Sequence, residues 1–232
     1  MRHQISGTTL PVLQVTLEAG ETLLAEADRL SWMTNNVALH TTTAAGGAGG
    51  LFGVIGRVLS GGGLFMTEFT AQGGEALVAF AATVPGNIIE IPVSPQRGFM
   101  VHRHGFLAGA ASLQLAIGFQ QSLGAGVFGG NGFVLQRLTG TGTAFVELGG
   151  EIVSYDLSPG QQLLVHPGHV GMFEESVGFN ITMMRGVRNV LFGGDGLFLA
   201  ELTGPGKVWL QTLTPSKLAH ALAPYMPPAE KG

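Results

Sequence analysis

The sequence predicts an all-β protein in which three internal repeats form a β-sandwich or barrel resembling a double-stranded β-helix, followed by a short C-terminal helix. Three observations predict it: the composition, short apolar segments between glycine turns, and a motif that occurs three times. The 232 residues include 38 glycines, and 11% are charged, against about 25% in ordinary globular chains. Because 45% are hydrophobic, buried strands explain this composition better than disorder does.

The triplicated motif follows a glycine cluster and leads into a glycine turn in each copy. The copies read GLFMTEFT (Gly63–Thr70), GFVLQRLT (Gly132–Thr139) and GLFLAELT (Gly196–Thr203). A second element with a shared glycine and a shared aliphatic position also occurs three times, as AGETLL, PGNIIE and PGQQLL. These signals predict one domain over residues 1–232, with pseudo-repeats at about 1–84, 85–158 and 159–213.

Individual strands are predicted from alternation and from glycine turns. Near the start, Leu13, Val15 and Leu17 alternate with polar residues, and Gly20 separates them from the next apolar run in the manner of a hairpin. TAFVEL and EIVSYDL flank Gly149–Gly150, which predicts a second hairpin, and KVWLQTL alternates again near the end.

One helix is predicted near the C-terminus, over residues 215–223. Thr214 can cap it, Pro215 suits its first position, and Pro224 ends it. Leu218 and Leu222 lie four residues apart and therefore share one face. We expect this helix to pack on the β domain and to close one of its ends.

Charge, cysteine content and hydropathy exclude several classes of protein. The net charge of −4 leaves no basic footprint for nucleic acid. The absence of cysteine excludes disulfides, thiolate metal sites and a cysteine nucleophile. The N-terminus lacks the apolar region of a signal peptide, and no segment provides the roughly 20 apolar residues of a transmembrane helix. We therefore expect a cytoplasmic protein without a transmembrane segment.

Several motifs resemble the altered-inheritance-of-mitochondria protein 24 family. They are the GGxGLF element, LTGPGKVWLQT (Leu202–Thr212) and DLSPGQQLLVHPGHVGMFE (Asp156–Glu174). The resemblance covers nearly the whole chain and implies an all-β unit with internal repeats, a fold like the tryptophan RNA-binding attenuation protein, and homo-oligomers. Mitochondrial relatives are linked to inner-membrane organisation, whereas bacterial relatives have no established activity. The glutamate of the family's GEGLF motif is replaced here by Gly62, Asn131 and Asp195, so no role is transferred to it.

Histidines are the candidates for metal chemistry. His166 and His169 form a His-x-x-His pair, but Pro167–Gly168 excludes a helix, and two ligands are too few. A third ligand would have to come from Glu174, or from His102 and His104, which would share one face of a strand in a cupin-like barrel. Turn and surface histidines are the favoured interpretation, and we predict no metal and no cofactor.

Catalytic motifs are missing from the sequence. No Gly-x-Ser-x-Gly elbow is present, and Glu174 and Glu175 are adjacent, so a strand would point them to opposite faces. The glycine-rich stretch GGAGGLFG lacks the lysine of a P-loop and the βαβ context of a dinucleotide site. We predict no catalytic residues and no enzymatic activity.

An apolar segment precedes the first motif copy and has no counterpart before the other two. Its large side chains fall at helical spacing and are Leu51, Phe52, Ile55, Val58 and Leu59. Three interpretations stay open: a cap on its own β domain, a subunit interface, or a contact with a membrane surface. A single arginine, Arg57, makes electrostatic attachment to a membrane weak, so the subunit interface is favoured over the membrane.

Two hypotheses for function follow. The first is a non-enzymatic, self-assembling β-protein that acts as a scaffold or interaction module, a role compatible with membrane association or stress responses. Its low charge and high apolar content predict a homo-oligomer, which we expect to be a trimer, and leave room for a protein partner. The alternative is a small-ligand or metal-binding β-barrel of the cupin kind, with the histidines as its chemistry.

Overall fold

A computed structural model describes residues 1–26, 28–44, 64–121, 132–184 and 197–226. The strands that precede residue 85 are β1 (Arg2–Ser6), β2 (Val12–Leu17), β3 (Thr22–Glu26), β4 (Trp32–Met33), β5 (Val37–Ala44), β6 (Leu64–Ala71) and β7 (Ala76–Ala81). The next six are β8 (Gly86–Val93), β9 (Phe99–His102), β10 (Phe106–Ala110), β11 (Leu113–Gln121), β12 (Phe133–Gly140) and β13 (Gly142–Gly149). The remaining elements are β14 (Ile152–Leu157), β15 (Gln162–Val165), β16 (Val170–Glu174), β17 (Gly178–Met184), β18 (Leu197–Thr203), β19 (Gly206–Gln211) and helix α1 (Pro215–Leu222). Short 3-10 turns cover Pro167–His169 and Ala223–Tyr225.

These strands form four open antiparallel sheets within the described residues. The first sheet has the order β1-β2-β7-β4, and the second has the order β5-β6-β3-β10-β13-β8. The third has the order β11-β12-β9-β16-β19-β14, and the fourth has the order β15-β18-β17. The predicted all-β class with a short C-terminal helix is confirmed.

The three motif copies of the sequence occupy the same kind of place in these sheets. They form β6, β12 and β18, and each lies between two antiparallel neighbours, in the orders β5-β6-β3, β11-β12-β9 and β17-β18-β15. The second sequence element is distributed differently. AGETLL and PGQQLL lead into β3 and β15, whereas PGNIIE leads into β8.

Apolar side chains between successive sheets form three cores. Core I, between the first and second sheets, contains Leu13, Phe69 and Phe80. Core II, between the second and third sheets, contains Leu138 and Val146, and core III, between the third and fourth, contains Leu202 and Val208. The predicted alternation of β2 is confirmed, because Leu13, Val15 and Leu17 are fully buried while the intervening residues are partly exposed. The stacked sheets correspond to the sandwich form of the predicted architecture.

Both predicted hairpins are wrong. β13 pairs with β8 and β10, whereas β14 pairs with β19 in another sheet, so Gly149–Gly150 carries the chain between sheets. These glycines are required by close packing, since a Cβ on Gly149 would lie 2.5 Å from the Leu213 carbonyl oxygen. At Gly20 the chain likewise passes from β2 in the first sheet to β3 in the second.

Helix α1 begins at Pro215, as the sequence predicts, and ends at Leu222, one residue before the predicted end. The Thr214 hydroxyl accepts a hydrogen bond from the Lys217 amide at 3.1 Å, which satisfies one of the free N–H groups of the first turn. Thr214 is buried, but no residue from Pro215 to Tyr225 is. The expected packing of this helix over an end of the β domain is therefore not seen in the part of the chain that the structure describes. No helix among the described residues has the length and apolar character needed to cross a membrane.

Candidate functional site

The predicted interface segment cannot be placed. Leu51, Phe52, Ile55, Val58 and Leu59 lie outside the described residues. Among the described residues, the groups with functional potential are the histidines, the buried charges and the apolar residues of the sheet edges.

The His166–His169 pair lies in the 3-10 turn after β15. The two rings are 5.9 Å apart between centroids, and His166 Nδ1 accepts a hydrogen bond from the Gly168 amide at 3.3 Å. His169 Nδ1 lies 2.6 Å from the Gln211 carbonyl oxygen, and its Nε2 lies 2.7 Å from Lys217 Nζ. Burial lowers the pKa of His166, and the neighbouring His169 and Lys217 lower it further.

This environment does not favour a cation. A lysine ammonium group and a backbone carbonyl occupy the two nitrogens of His169, and Glu174 is used elsewhere, where it accepts from Arg97 and from the Lys207 amide. Within the described ranges, no group of three His, Asp or Glu side chains is arranged to hold a metal. The geometry thus gives no support to the metal-binding alternative.

His102 and His104 do not share a strand face as the sequence suggested. β9 ends at His102, and His104 follows in the turn with a positive φ of 66°, a backbone conformation that is uncommon outside glycine. His102 Nε2 lies 3.1 Å from the Glu147 carbonyl oxygen, so the neutral ring donates a hydrogen bond to it. Burial lowers the pKa of His102 to about 4. Burial also lowers the pKa of His104, and the Glu26 carboxylate opposes that change.

These two histidines border a buried charged cluster, which we define as Glu26, Arg29, Gln136 and Glu147. Arg29 follows β3 and reaches the second sheet, where its Nη1 lies 3.0 Å from Glu147 Oε2. Its Nε lies 3.5 Å from Glu26 Oε2, and its Nη2 donates to the backbone oxygen of His104. One guanidinium group therefore ties together the end of β3, the turn after β9 and β13.

The Glu147 carboxylate is saturated with donors. Oε1 accepts from the amides of Thr83 and Val84 at 2.6 and 3.2 Å, and Oε2 accepts from Arg29 and from the Thr83 hydroxyl. A carboxylate with four donors has no free lone pair directed at a substrate, so it is poorly suited to act as a general base. Its arrangement is that of a structural ion pair.

Gln136 completes the cluster from the facing sheet. It is 1% exposed on β12, and its Nε2 donates to Glu26 Oε1 at 2.7 Å. Gln136 Oε1 is buried without a protein donor. A buried water is the ordinary partner for such an atom.

Sequence reasoning singled out the two bordering histidines but missed this cluster. Arg29 and Glu147 are 118 positions apart, so no local motif joins them. One signal was available in a chain with few charges: Glu26 ends the apolar run TLLAE, and Glu147 interrupts the apolar run TAFVEL.

The exposed apolar side chains of the described residues include several on edge strands. Trp32 lies on β4, at the edge of the first sheet, and Leu164 lies on β15, at the edge of the fourth. They are 48% and 50% exposed. An unpaired strand edge that carries a large apolar residue is a template for association with another strand.

The family model described as "Mitochondrial biogenesis AIM24" matches residues 3–213. An uncharacterized protein of Streptococcus pyogenes serotype M6 is 27% identical over 221 residues, which cover 94% of this chain and 87% of that protein. The X-ray crystal structure of a Streptococcus pyogenes protein superimposes with a TM-score of 0.76 at 23% identity, over 97% of this chain and 99% of that one.

Proposed function

This chain belongs to the mitochondrial biogenesis AIM24 family, and we propose that it is a non-enzymatic, self-assembling β-protein that acts as a scaffold or interaction module. The observation that carries the proposal is the contrast between buried charges and exposed apolar edges. The charged groups inside are bound to one another, whereas large apolar groups such as Trp32 and Leu164 are about half exposed on edge strands.

The interior polar groups support a structural role. Arg29, Glu26 and Glu147 join segments from two turns and two strands, and Glu147 holds the Thr83 and Val84 amides in place. Because Gln136 of the third sheet donates to Glu26, this arrangement rigidifies the junction between the second and third sheets. A rigid junction suits a protein that presents fixed surfaces to its partners.

The exposed edges support the assembly role. Single exposed apolar residues are normal on protein surfaces. An edge strand is different, because its free N–H and C=O groups can pair with a partner strand while an apolar side chain packs beside it. We propose a homo-oligomer, specifically a trimer, with a cytoplasmic location and with residues 51–59 as an additional interface or a peripheral membrane contact.

The scaffold is proposed to consist of three repeats. The recurring orders β5-β6-β3, β11-β12-β9 and β17-β18-β15 support it. The strands next to β7, β13 and β19 match as well, since β2, β8 and β14 flank them on one side and β4, β10 and β16 on the other. We accordingly propose that the third repeat includes β14 and begins before Pro159.

Solution mass tests the proposal. The chain of 24.0 kDa is expected to form a concentration-dependent oligomer in light scattering coupled to size exclusion. A stable 24.0 kDa species across micromolar concentrations would contradict self-assembly. Stoichiometric zinc, iron or manganese in untagged protein, lost in His166→Ala, would instead support the metal-binding alternative.

A further inference from the structure

We propose that β4 of one copy of this chain pairs antiparallel with β15 of a second copy. Within one chain, β10 pairs with β3 and β16 pairs with β9 in the same way. We call this kind of strand pairing the joint. The inference rests on the proposed self-assembly and names the surface through which it occurs. The partner of each strand is a second copy of this chain, because β4 and β15 correspond to the two complementary strands of the joint and each has a free edge.

The joint is visible twice inside the chain. β10 pairs with β3 in the register Ala108↔Ala25, Gly109↔Leu24 and Ala110↔Leu23. β16 pairs with β9 in the register Met172↔Val101, Phe173↔Met100 and Glu174↔Phe99. Each joint fuses two three-stranded groups into a six-stranded sheet.

β4 and β15 hold the corresponding places but lack this partner among the described residues. β4 flanks β7 as β10 flanks β13 and β16 flanks β19, through the pairs Trp32↔Ala79, Ala108↔Phe145 and Met172↔Trp209. β15 flanks β18 as β3 flanks β6 and β9 flanks β12, through the pairs Leu164↔Glu201, Leu24↔Glu68 and Met100↔Arg137. Trp32 therefore corresponds to Ala108 and Met172, and Leu164 corresponds to Leu24 and Met100.

Burial shows what each place normally receives. Ala108, on the second sheet, packs in core I, and Met172, on the third sheet, packs in core II; both are fully buried. Each side chain therefore lies in the core between its own sheet and the preceding sheet. Trp32 lies on the first sheet, so the same rule places it in a core that precedes the first sheet. Core III of a second copy would supply that core. In this chain Trp32 is instead half exposed.

The other side of the joint follows the opposite progression. Leu24, on the second sheet, packs in core II, and Met100, on the third sheet, packs against core III. Each side chain therefore faces the core between its own sheet and the next sheet. Leu164 therefore belongs in a core I, and Met33, which packs against core I, lies opposite it in the transferred register. That register is Trp32↔Val165, Met33↔Leu164 and Thr34↔Leu163.

The geometry makes this interface heterologous, since the patch used on one copy differs from the patch used on its neighbour. Head-to-tail interfaces of this kind close into rings or extend into filaments. Trp32 is the expected anchor, because a large aromatic side chain at the centre of an interface contributes most to affinity.

The first test compares charge substitutions on two exposed edges. We expect Trp32→Glu and Leu164→Glu to shift the oligomer to the 24.0 kDa monomer while thermal unfolding still shows a folded protein. Tyr155→Glu is the matched control, because Tyr155 is similarly exposed on the edge strand β14 and takes no part in the joint. An oligomer that survives both edge substitutions would overturn the joint and leave self-assembly intact.

The second test uses the absence of cysteine from the natural chain. Met33→Cys and Leu164→Cys proteins, one of them isotopically labelled, are mixed under mild oxidation. We expect disulfide-linked mixed dimers, and none when Val153→Cys replaces Leu164→Cys. A Met33→Cys/Leu164→Cys double variant that crosslinks only within single chains would overturn the proposal, since the joint would then close inside one molecule. A natural chain that stays monomeric would overturn both this joint and the proposed function.

Discussion

Arg29 and Glu147 form a buried ion pair between the loop after β3 and strand β13, with Nη1 and Oε2 3.0 Å apart and side chains only 8% and 5% exposed. The Glu26 carboxylate shares the same guanidinium group. Removing the cation would leave two buried carboxylates without it, and a buried charge without its partner is expensive. The pair is therefore expected to matter for stability far more than any surface pair of this protein.

Arg29→Met tests the buried pair. We expect the free energy of unfolding to fall by about 3–5 kcal/mol, because the stranded carboxylates lose a charged donor. Urea denaturation at pH 7 measures this change.

Arg2→Met is the matched control, since the Arg2–Glu75 ion pair has both side chains largely exposed. Exposed pairs contribute less than about 1 kcal/mol. Equal losses in the two variants would show that the buried cluster carries no special weight.

His102 predicts a pH dependence. Burial lowers its pKa to about 4 in the folded protein, against 6.5 for an unperturbed histidine. Between these two pH values the histidine is protonated in the unfolded chain but neutral in the folded chain. Its contribution to the free energy of unfolding is therefore fully present above pH 6.5 and is lost as the pH falls to 4. The loss from this one group amounts to about 3 kcal/mol.

His102→Gln separates this contribution from the other titrations. Gln keeps a donor near the Glu147 carbonyl oxygen but cannot titrate, so its free energy of unfolding is expected to vary less between pH 6.5 and 4. His104 and His166, whose pKa values are also lowered, stay in both proteins and cancel in the comparison. Parallel pH profiles would exclude His102 as the source.

The position of Gln136 beside Glu26 predicts that a second carboxylate there would destabilise the protein. Its Nε2 donates to Glu26, so Gln136→Glu would bring two carboxyl groups together in a buried place. We expect a loss of stability at pH 7 that is larger than the roughly 1–3 kcal/mol of Gln136→Leu, which only removes the donor.

The sign of the pH effect distinguishes the two variants. Protonation relieves the repulsion in Gln136→Glu, so its deficit against Gln136→Leu should shrink as the pH falls toward 4. Chemical denaturation at pH 7, 5 and 4 measures the difference. A deficit that does not change with pH would mean that the new carboxylate leaves the cluster.

The exposure of the C-terminal helix predicts that the protein stays folded when this helix is deleted. No residue from Pro215 to Tyr225 is buried, so a chain that ends after Thr214 should lose less than about 1 kcal/mol of stability. A chain that ends after Gly204 is the control, because it lacks β19, whose Val208 is fully buried in core III. We expect it to unfold. A large fall in melting temperature for the first truncation would show that the helix packs on the domain.

The sequence was sufficient for the local structure. Alternation at Leu13, Val15 and Leu17 predicts β2, and Thr214 with Pro215 predicts the start of α1, because these patterns depend on neighbouring residues alone. Pairing was not predictable in the same way. Gly149–Gly150 looks like a hairpin turn, but its glycines serve close approach to Leu213 as the chain changes sheets.

The buried cluster was beyond local patterns for a related reason. The contact between Arg29 and Glu147 exists only because β3 and β13 both pair with β10, and nothing near either residue encodes that neighbourhood. His102 was identified as a candidate ligand, yet its chemistry depends on the Glu147 carbonyl oxygen across the sheet. A charged residue in an otherwise apolar strand is the one local sign of such a site.

The order of strands in the second sheet has a consequence for synthesis on the ribosome. β3 ends at Glu26, but the neighbour that covers its free side, β10, is complete only at Ala110. β8 likewise waits for β13, the one strand that pairs with it among the described residues. A growing chain therefore carries open strand edges while dozens of further residues are added, which exposes it to aggregation until β10 and then β13 emerge.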